Sequence, residues 1–186
     1  MLAHDEERNL IASLPNNPEA FRRLYQCYFE RVFAYVAYRV GRRQDAEDLT
    51  ADIFLTIVEK IEQFEYRGEG SFAAWVFRIA YNTVMQFHRK THRQKEIALD
   101  DLPEIRSQAI LPDDVVSRKE QFARLHAMIQ SLSARRREVV SLRFFGELQN
   151  KEIASVLGLD ERTVASHLSR ALDDLQKKYQ KDMAHE

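Results

Sequence analysis

The chain is poor in the residues that most often break or cross-link a polypeptide: among 186 residues there are only Gly 5, Pro 4 and Cys 1. So few breakers argue against a turn-rich β architecture and for long helices. A lone thiol, Cys27, excludes an internal disulfide, and its aromatic neighbours mark it as a small buried side chain. Long hydrophobic runs are missing as well. No apolar stretch approaches the roughly 20 residues of a membrane span, and His4, Asp5, Glu6 and Glu7 stand where a signal peptide would be apolar. The expectation is a cytoplasmic protein without membrane insertion. No phosphate-cradling glycine loop, nucleophile motif or paired catalytic carboxylates are present, so no catalytic residue and no cofactor is expected. His88 and His92 have the i, i+4 spacing of helical metal ligands, but their basic surroundings supply no third ligand and no metal site is expected.

What is present is a globular composition, 45% hydrophobic and 31% charged. The net charge of −1 conceals a segregation of charge along the chain. Apolar periodicity predicts helices over about 18–40, 45–64, 71–95, 118–132, 134–145, 150–157 and 161–179. The first carries Phe21, Leu24, Tyr25, Tyr28, Val32, Tyr35, Val36 and Val40, and Gly41 ends it. The second opens on acidic turns and has Ile53, Phe54, Ile57, Val58, Ile61 and Phe64 as its stripe. Gly68 and Gly70 mark a loop over 65–71, with Ser71 as N-cap of a third helix whose stripe is Phe72, Trp75, Val76, Ile79, Ala80 and Val84. From Arg78 to Lys95 that helix has no acidic residue. Over 96–117 periodicity fails, Pro103 and Pro112 appear, and Glu96, Asp100, Asp101, Glu104, Asp113 and Asp114 face only Arg106, which reads as an anionic linker.

Residues 150–170 have the pattern of a helix-turn-helix. Ile153, Ala154 and Leu157 hold the first helix, Gly158 permits the reversal, and Asp160 caps the second. On that second helix Val164, Leu168, Ala171, Leu172 and Leu175 face inward, which turns Arg162, Ser166, Ser169, Arg170 and Lys177 outward. Arginine can read guanine in the major groove and serine can contact phosphate. Arg135, Arg136, Arg137 and Arg143, on the helix before the motif, are candidate phosphate contacts.

Two sets of motifs then resemble one family. Asp45-Ala-Glu-Asp-Leu-Thr, Phe54-Leu and Gly70-Ser-Phe-Ala-Ala-Trp-Val-Phe-Arg-Ile-Ala-Tyr-Asn look like region 2 of the sigma-70 family. Arg137-Glu-Val-Val-Ser-Leu-Arg, Glu152-Ile-Ala, Leu157-Gly-Leu and Thr163-Val-Ala-Ser-His-Leu-Ser-Arg-Ala look like region 4. Both in this order, joined by an acidic segment, are similar to sigma factors of the extracytoplasmic-function (ECF) type. The resemblance implies an all-α chain: a region 2 domain at 1–95, a linker at 96–117 and a region 4 domain at 118–186. It implies RNA polymerase core as a partner, through the clamp coiled coil of the largest subunit and the flap region, together with promoter DNA and a possible anti-sigma factor.

Residue by residue, the resemblance assigns Asp45, Glu47, Asp48 and Asp52 to polymerase binding, although acidic side chains also suit a helix N-terminus. It assigns Tyr66, Arg78, Asn82, Gln86, Arg89 and Lys90 to the minus-ten element, with an unstacked base beside the 66–71 loop. Arg143, Arg162, Thr163, Ser166, His167, Ser169 and Arg170 fall to the minus-thirty-five element. Phe72 and Trp75 are placed by spacing in the core rather than as melting wedges. The chain departs from the family at Gln86, commonly aspartate, and at Ala165 and His167, often lysine or arginine. Fewer fixed charges there flatten the expected salt dependence. The acidic linker is either a mimic of nucleic acid in the polymerase channel or a solvated tether. A rival reading is a stand-alone regulator that uses only the helix-turn-helix, which would bind its DNA site without polymerase.

Overall fold

The computed structural model of the chain describes residues 4–14, 17–97 and 124–183. These residues form helices and connecting turns, with no strand among them, as the all-α expectation requires. The first half contains α1 (His4–Ser13), α2 (Pro18–Val40), α3 (Arg43–Lys60) continued by a 3-10 turn at Ile61–Gln63, and α4 (Ser71–Ile97). The second contains helical residues 124–130 (α5), then α6 (Ala134–Phe144), α7 (Asn150–Leu157) and α8 (Glu161–Met183). The predicted linker lies outside the described residues except for its first two, Glu96 and Ile97, which belong to α4.

Local chemistry sets most boundaries. At the start of α2, the Asn17 side chain accepts from the backbone N–H groups of Glu19 and Ala20 at 3.1 and 3.2 Å, and Pro18 supplies a preset φ at the first helical position. Gly41 ends the helix at φ 77, donating to the Ala37 carbonyl. Ser71 is not the N-cap of α4 that the sequence suggested. The first helical bond runs from Ala74 N–H to the Gly70 carbonyl at 2.9 Å, and the Ser71 hydroxyl instead ties down the loop, donating to the Gly68 carbonyl at 2.6 Å and accepting from Arg67 N–H at 3.2 Å. Helix α1 was not foreseen, because residues 4–13 show charge more clearly than period. Its Glu6 and Glu7 pair with Arg23 and Tyr28 of α2, and Leu10 and Ile11 pack on the core.

The core explains why the halves sit as they do. One buried cluster joins Val32, Tyr35 and Val36 of α2, Ile53 and Ile57 of α3, and Phe72, Val76, Phe77, Ala80 and Val84 of α4 to Val139, Leu142, Leu148, Ile153 and Val164 of the second half. A smaller cluster of Ile129, Leu132, Val140 and Ala171 holds α5, α6 and α8 together. Helix α4 is buried on two sides. The foreseen stripe meets α2 and α3, while Phe77, missed in the sequence, closes against the second half beside Gly146. Trp75 packs 5.1 Å from Phe64 and 5.8 Å from Phe72 between ring centroids, a core role. Two expected inward residues face out: Val58 is 48% exposed and Leu172 is 44% exposed.

Candidate nucleic-acid interface

The long, breaker-free α4 carries Arg78, Asn82, Gln86, Arg89 and Lys90 at spacings of three or four along its solvent side, and all five are exposed. They form a polar rail without an acidic member. Tyr66, in the loop that leads into α4, is half-buried, with the Arg8 guanidinium 5.9 Å from its ring centroid. Loop, α4 and α7 enclose a cleft of about 520 Å³ lined by Phe64, Trp75, Arg78, Lys151 and Glu152 among others. Arg78 also donates to the backbone carbonyl of Ser155 in α7, so one end of the rail is engaged by the second half.

The helix-turn-helix has the foreseen build. Gln149 and Glu152 form a capping box, in which Gln149 N–H donates to Glu152 Oε2 at 2.6 Å, and Gly158 reverses the chain at φ 65 and ψ 40. Asp160 caps α8, accepting from Thr163 N–H at 2.8 Å and from the Thr163 hydroxyl at 2.6 Å. Those two bonds hold the Asp160 carboxyl below its ordinary range. Thr163 is therefore occupied by the turn. Arg162, Ser169 and Arg170 are exposed, Ser166 and His167 are half-buried, and Asp173 is exposed one turn beyond Ser169. The α8 face thus presents Arg162, Ser166, Ser169 and Arg170, with an acidic neighbour.

The basic residues of α6 are more occupied than their sequence suggests. Arg137 donates to the carbonyls of Gln130 and Leu132 at 2.5 and 3.1 Å, Arg136 pairs with Asp174, and Arg143 donates to the Leu148 carbonyl at 2.9 Å. Arg135 and Arg143 are exposed, whereas Arg136 and Arg137 are half-buried. The acidic residues of α3 also divide. Asp45 lies 3.8 Å from Arg42 and Glu47 lies 2.7 Å from Arg43, while Asp48 and Asp52 are exposed. Asp52 lies on a side of α3 that also bares Leu55, 62% exposed, and Val58. The apolar component of this face was not foreseen.

Periodicity also did not reveal the polar seam between the halves. Arg31, Tyr35, Tyr38 and Arg39 stand at i, i+4, i+7 and i+8 on α2. Buried Glu138 of α6 accepts from the Tyr35 hydroxyl at 2.6 Å through Oε1 and pairs with Arg39 at 2.9 Å through Oε2. Burial, then the Glu138 carboxylate, pushes the Tyr35 hydroxyl well above its ordinary pKa. Arg31 donates to the Gly146 carbonyl at 2.7 and 3.0 Å, and Tyr38 stacks on Phe145 at 4.4 Å between centroids. Among the described residues, no group of three or more His, Cys, Asp or Glu is arranged to hold a metal ion. No described helix is long and apolar enough to cross a membrane.

Residues 24–94 match the family described as Sigma-70 region 2, and residues 122–175 match the one described as Sigma-70, region 4. The ECF RNA polymerase sigma factor BldN of Streptomyces coelicolor is 32% identical over 157 residues, which are 84% of this chain but only 59% of that protein's length. The ECF sigma factor SigX of Bacillus subtilis is 27% identical over 163 residues, 86% of this chain and 83% of that protein. The fold is that of CnrH, solved in complex with the cytosolic domain of CnrY, at a TM-score of 0.71 and 22% identity, covering 95% of this chain and 99% of that one. It is also that of RpoE from Bartonella quintana, solved with the anti-sigma factor NepR, at a TM-score of 0.68 and 22% identity over 84% of this chain and 94% of that one. The chain belongs to the sigma-70 family and is a sigma factor of the ECF type.

Proposed function

We propose that this chain is an alternative, non-enzymatic specificity subunit: it binds RNA polymerase core in the cytoplasm and directs it to promoters through two separate reading surfaces. The observation that supports this most is the presence in one chain of two exposed, differently built surfaces, the α4 rail and the α8 face, each within its own matched region. In this reading residues 1–95 bind core and read the minus-ten element, 96–117 connect, and 118–186 read the minus-thirty-five element. Tyr66 offers a stacking face to an unpaired base, and Asn82 offers an amide that both donates and accepts. Arg78, Gln86, Arg89 and Lys90 follow the strand's backbone.

On α8, Arg162, Ser166, Ser169 and Arg170 meet the major groove, with His167 and Arg143 at its edge and Thr163 holding the turn. Polymerase docks on α3, where Asp48 and Asp52 attract a basic partner and Leu55 and Val58 supply apolar area; Asp45 and Glu47 add charge at the helix start. A partner that sequesters the chain fits the same reading, because RpoE is solved with an anti-sigma factor and CnrH with CnrY.

The test is an electrophoretic shift on promoter DNA with chain alone, core alone and both. Each module's contact is small until polymerase fixes their spacing, so a shifted, sequence-dependent complex is expected only with both. Tight sequence-specific binding by the chain alone would favour the stand-alone regulator.

A further inference from the structure

Helix α1 lies outside the residues matched to region 2, 24–94, yet it is fastened to that region beside the loop that leads into α4. Glu6 pairs with Arg23, Glu7 accepts from the Tyr28 hydroxyl, and Leu10 and Ile11 pack on the core. Tyr28 in turn meets Phe72 of α4 edge-on at 5.3 Å between ring centroids. Phe72 meets Phe64, which precedes the loop, edge-on at 5.3 Å as well. Helix α1 and the entry to the loop therefore stand on one close-packed aromatic scaffold.

The residue after Glu7 reaches across to the loop itself. Arg8, exposed on α1, places its guanidinium carbon over the Tyr66 ring, 5.9 Å from the centroid and within the range of a cation–π contact. The loop backbone beyond Tyr66 is tied from within: Ser71 N–H donates to the Gly68 carbonyl at 3.1 Å, and the Ser71 hydroxyl accepts from Arg67 N–H at 3.2 Å. Those bonds hold the main chain, but they do not fix the two rotatable bonds of the Tyr66 side chain. A stacking ring that is still mobile must be ordered when its base arrives, and that ordering is subtracted from affinity. A guanidinium over the ring orders it in advance. Tyr66 is only half-buried, so ring surface remains for a base.

We propose that Arg8 is a positioning residue for minus-ten reading: from α1 it holds the Tyr66 ring ready to stack an unpaired base, without touching that base itself. The proposal rests on the reading of Tyr66 as the minus-ten platform. It gives α1, outside the matched region, a part in capturing the unpaired strand. A cation–π contact at an exposed site changes an equilibrium constant by a factor of about two to five. Loss of Arg8 therefore weakens capture of the strand rather than abolishing it.

The experiment uses the full chain bound to core polymerase, on forked DNA that carries a fluorescent adenine analogue at each minus-ten position in turn. Stacking quenches the analogue, so the parent complex is expected to quench it at one position and Tyr66→Ala to lose that quenching. Arg8→Ala and Arg8→Gln should reduce both the quenching there and the affinity for the fork by about two- to fivefold, and Arg8→Lys should recover part of each. In the Tyr66→Ala background Arg8→Ala should cost nothing more, because the two side chains act as one unit. A loss that persists in that background with a shallower salt dependence makes Arg8 a phosphate contact and overturns the proposal, as does unchanged quenching and affinity in helical Arg8→Ala and Arg8→Gln chains. Proton NMR of the free chain tests the contact without polymerase: the ring current of Tyr66 should shift the δ-methylene protons of Arg8, and Tyr66→Ala should remove the shift. No such shift overturns the brace and leaves the role of Tyr66 intact. If Tyr66→Ala binds and quenches like the parent, the minus-ten assignment of Tyr66 fails and the role of Arg8 falls with it.

Discussion

Among single residues, Asn82 and Gly70 separate recognition from architecture. Asn82 is exposed on α4 and buries nothing, so Asn82→Ala should leave thermal stability unchanged while weakening discrimination at the minus-ten element by about 1–3 kcal/mol, the range for a base-reading amide. Competition binding of the polymerase complex to forked DNA with matched and altered minus-ten bases measures this; equal loss on all sequences would make Asn82 a backbone contact. Gly70 acts through shape. It sits at φ 77 with Glu152 against its Cα, whereas Gly68 has φ 106 and open space around it. Both alanine substitutions carry backbone strain of about 1 kcal/mol or more, but Gly70→Ala must also displace Glu152 and is expected to cost measurably more in urea unfolding. Equal midpoints would show that the approach of α7 to Gly70 contributes nothing. Neither Gly70's close contact nor Glu138's buried pairing was legible in the sequence, because both depend on which distant helix arrives there.

Helices are where the sequence was most informative, and the reasons are local. Gly41, Gly158 and Asp160 act within one turn of their own positions, so their residue types alone indicated helix ends or turns. The errors arise where neighbours decide. Val58 and Leu172 fit an apolar period but lie on uncovered faces, Ser71 bonds backward into its loop, and α1 depends on Tyr28 and Arg23 of α2. The cap of α8 makes a pH prediction. Its bonds hold the Asp160 carboxyl below the ordinary 3.8, so the folded form binds its proton less readily than the unfolded form. The cap's contribution is therefore fully present above 3.8 and is lost as pH falls through the lower, folded value. Amide chemical shifts of Thr163 should report this titration, and Asp160→Asn should abolish it while keeping an acceptor for the turn. A Thr163 amide that titrates near an unperturbed carboxylate value would contradict the capping geometry.

At the scale of the whole molecule, the proposed function requires that two weak surfaces become specific only when a larger partner sets their separation. The α3 face, the α4 rail and the α8 face are exposed in the proposed contact regions, while the Arg39–Glu138 seam draws the first and second halves into one core. Breaking a buried pair of this kind by removing one partner costs about 3–5 kcal/mol, a large share of the stability of a chain this size. The order of the two regions was readable from their motifs, but their contact was not. Arg31, Tyr35 and Arg39 look like an ordinary polar edge of α2 until α6 lies against them. The most direct measurement of the central claim is transcription in vitro from a promoter library by core polymerase with and without the chain. The account predicts initiation only with the chain, at start sites that share two short elements about 25 base pairs apart, and loss of that activity with Asp48→Lys in a chain that remains helical. Transcripts no different from those of core polymerase alone would contradict it.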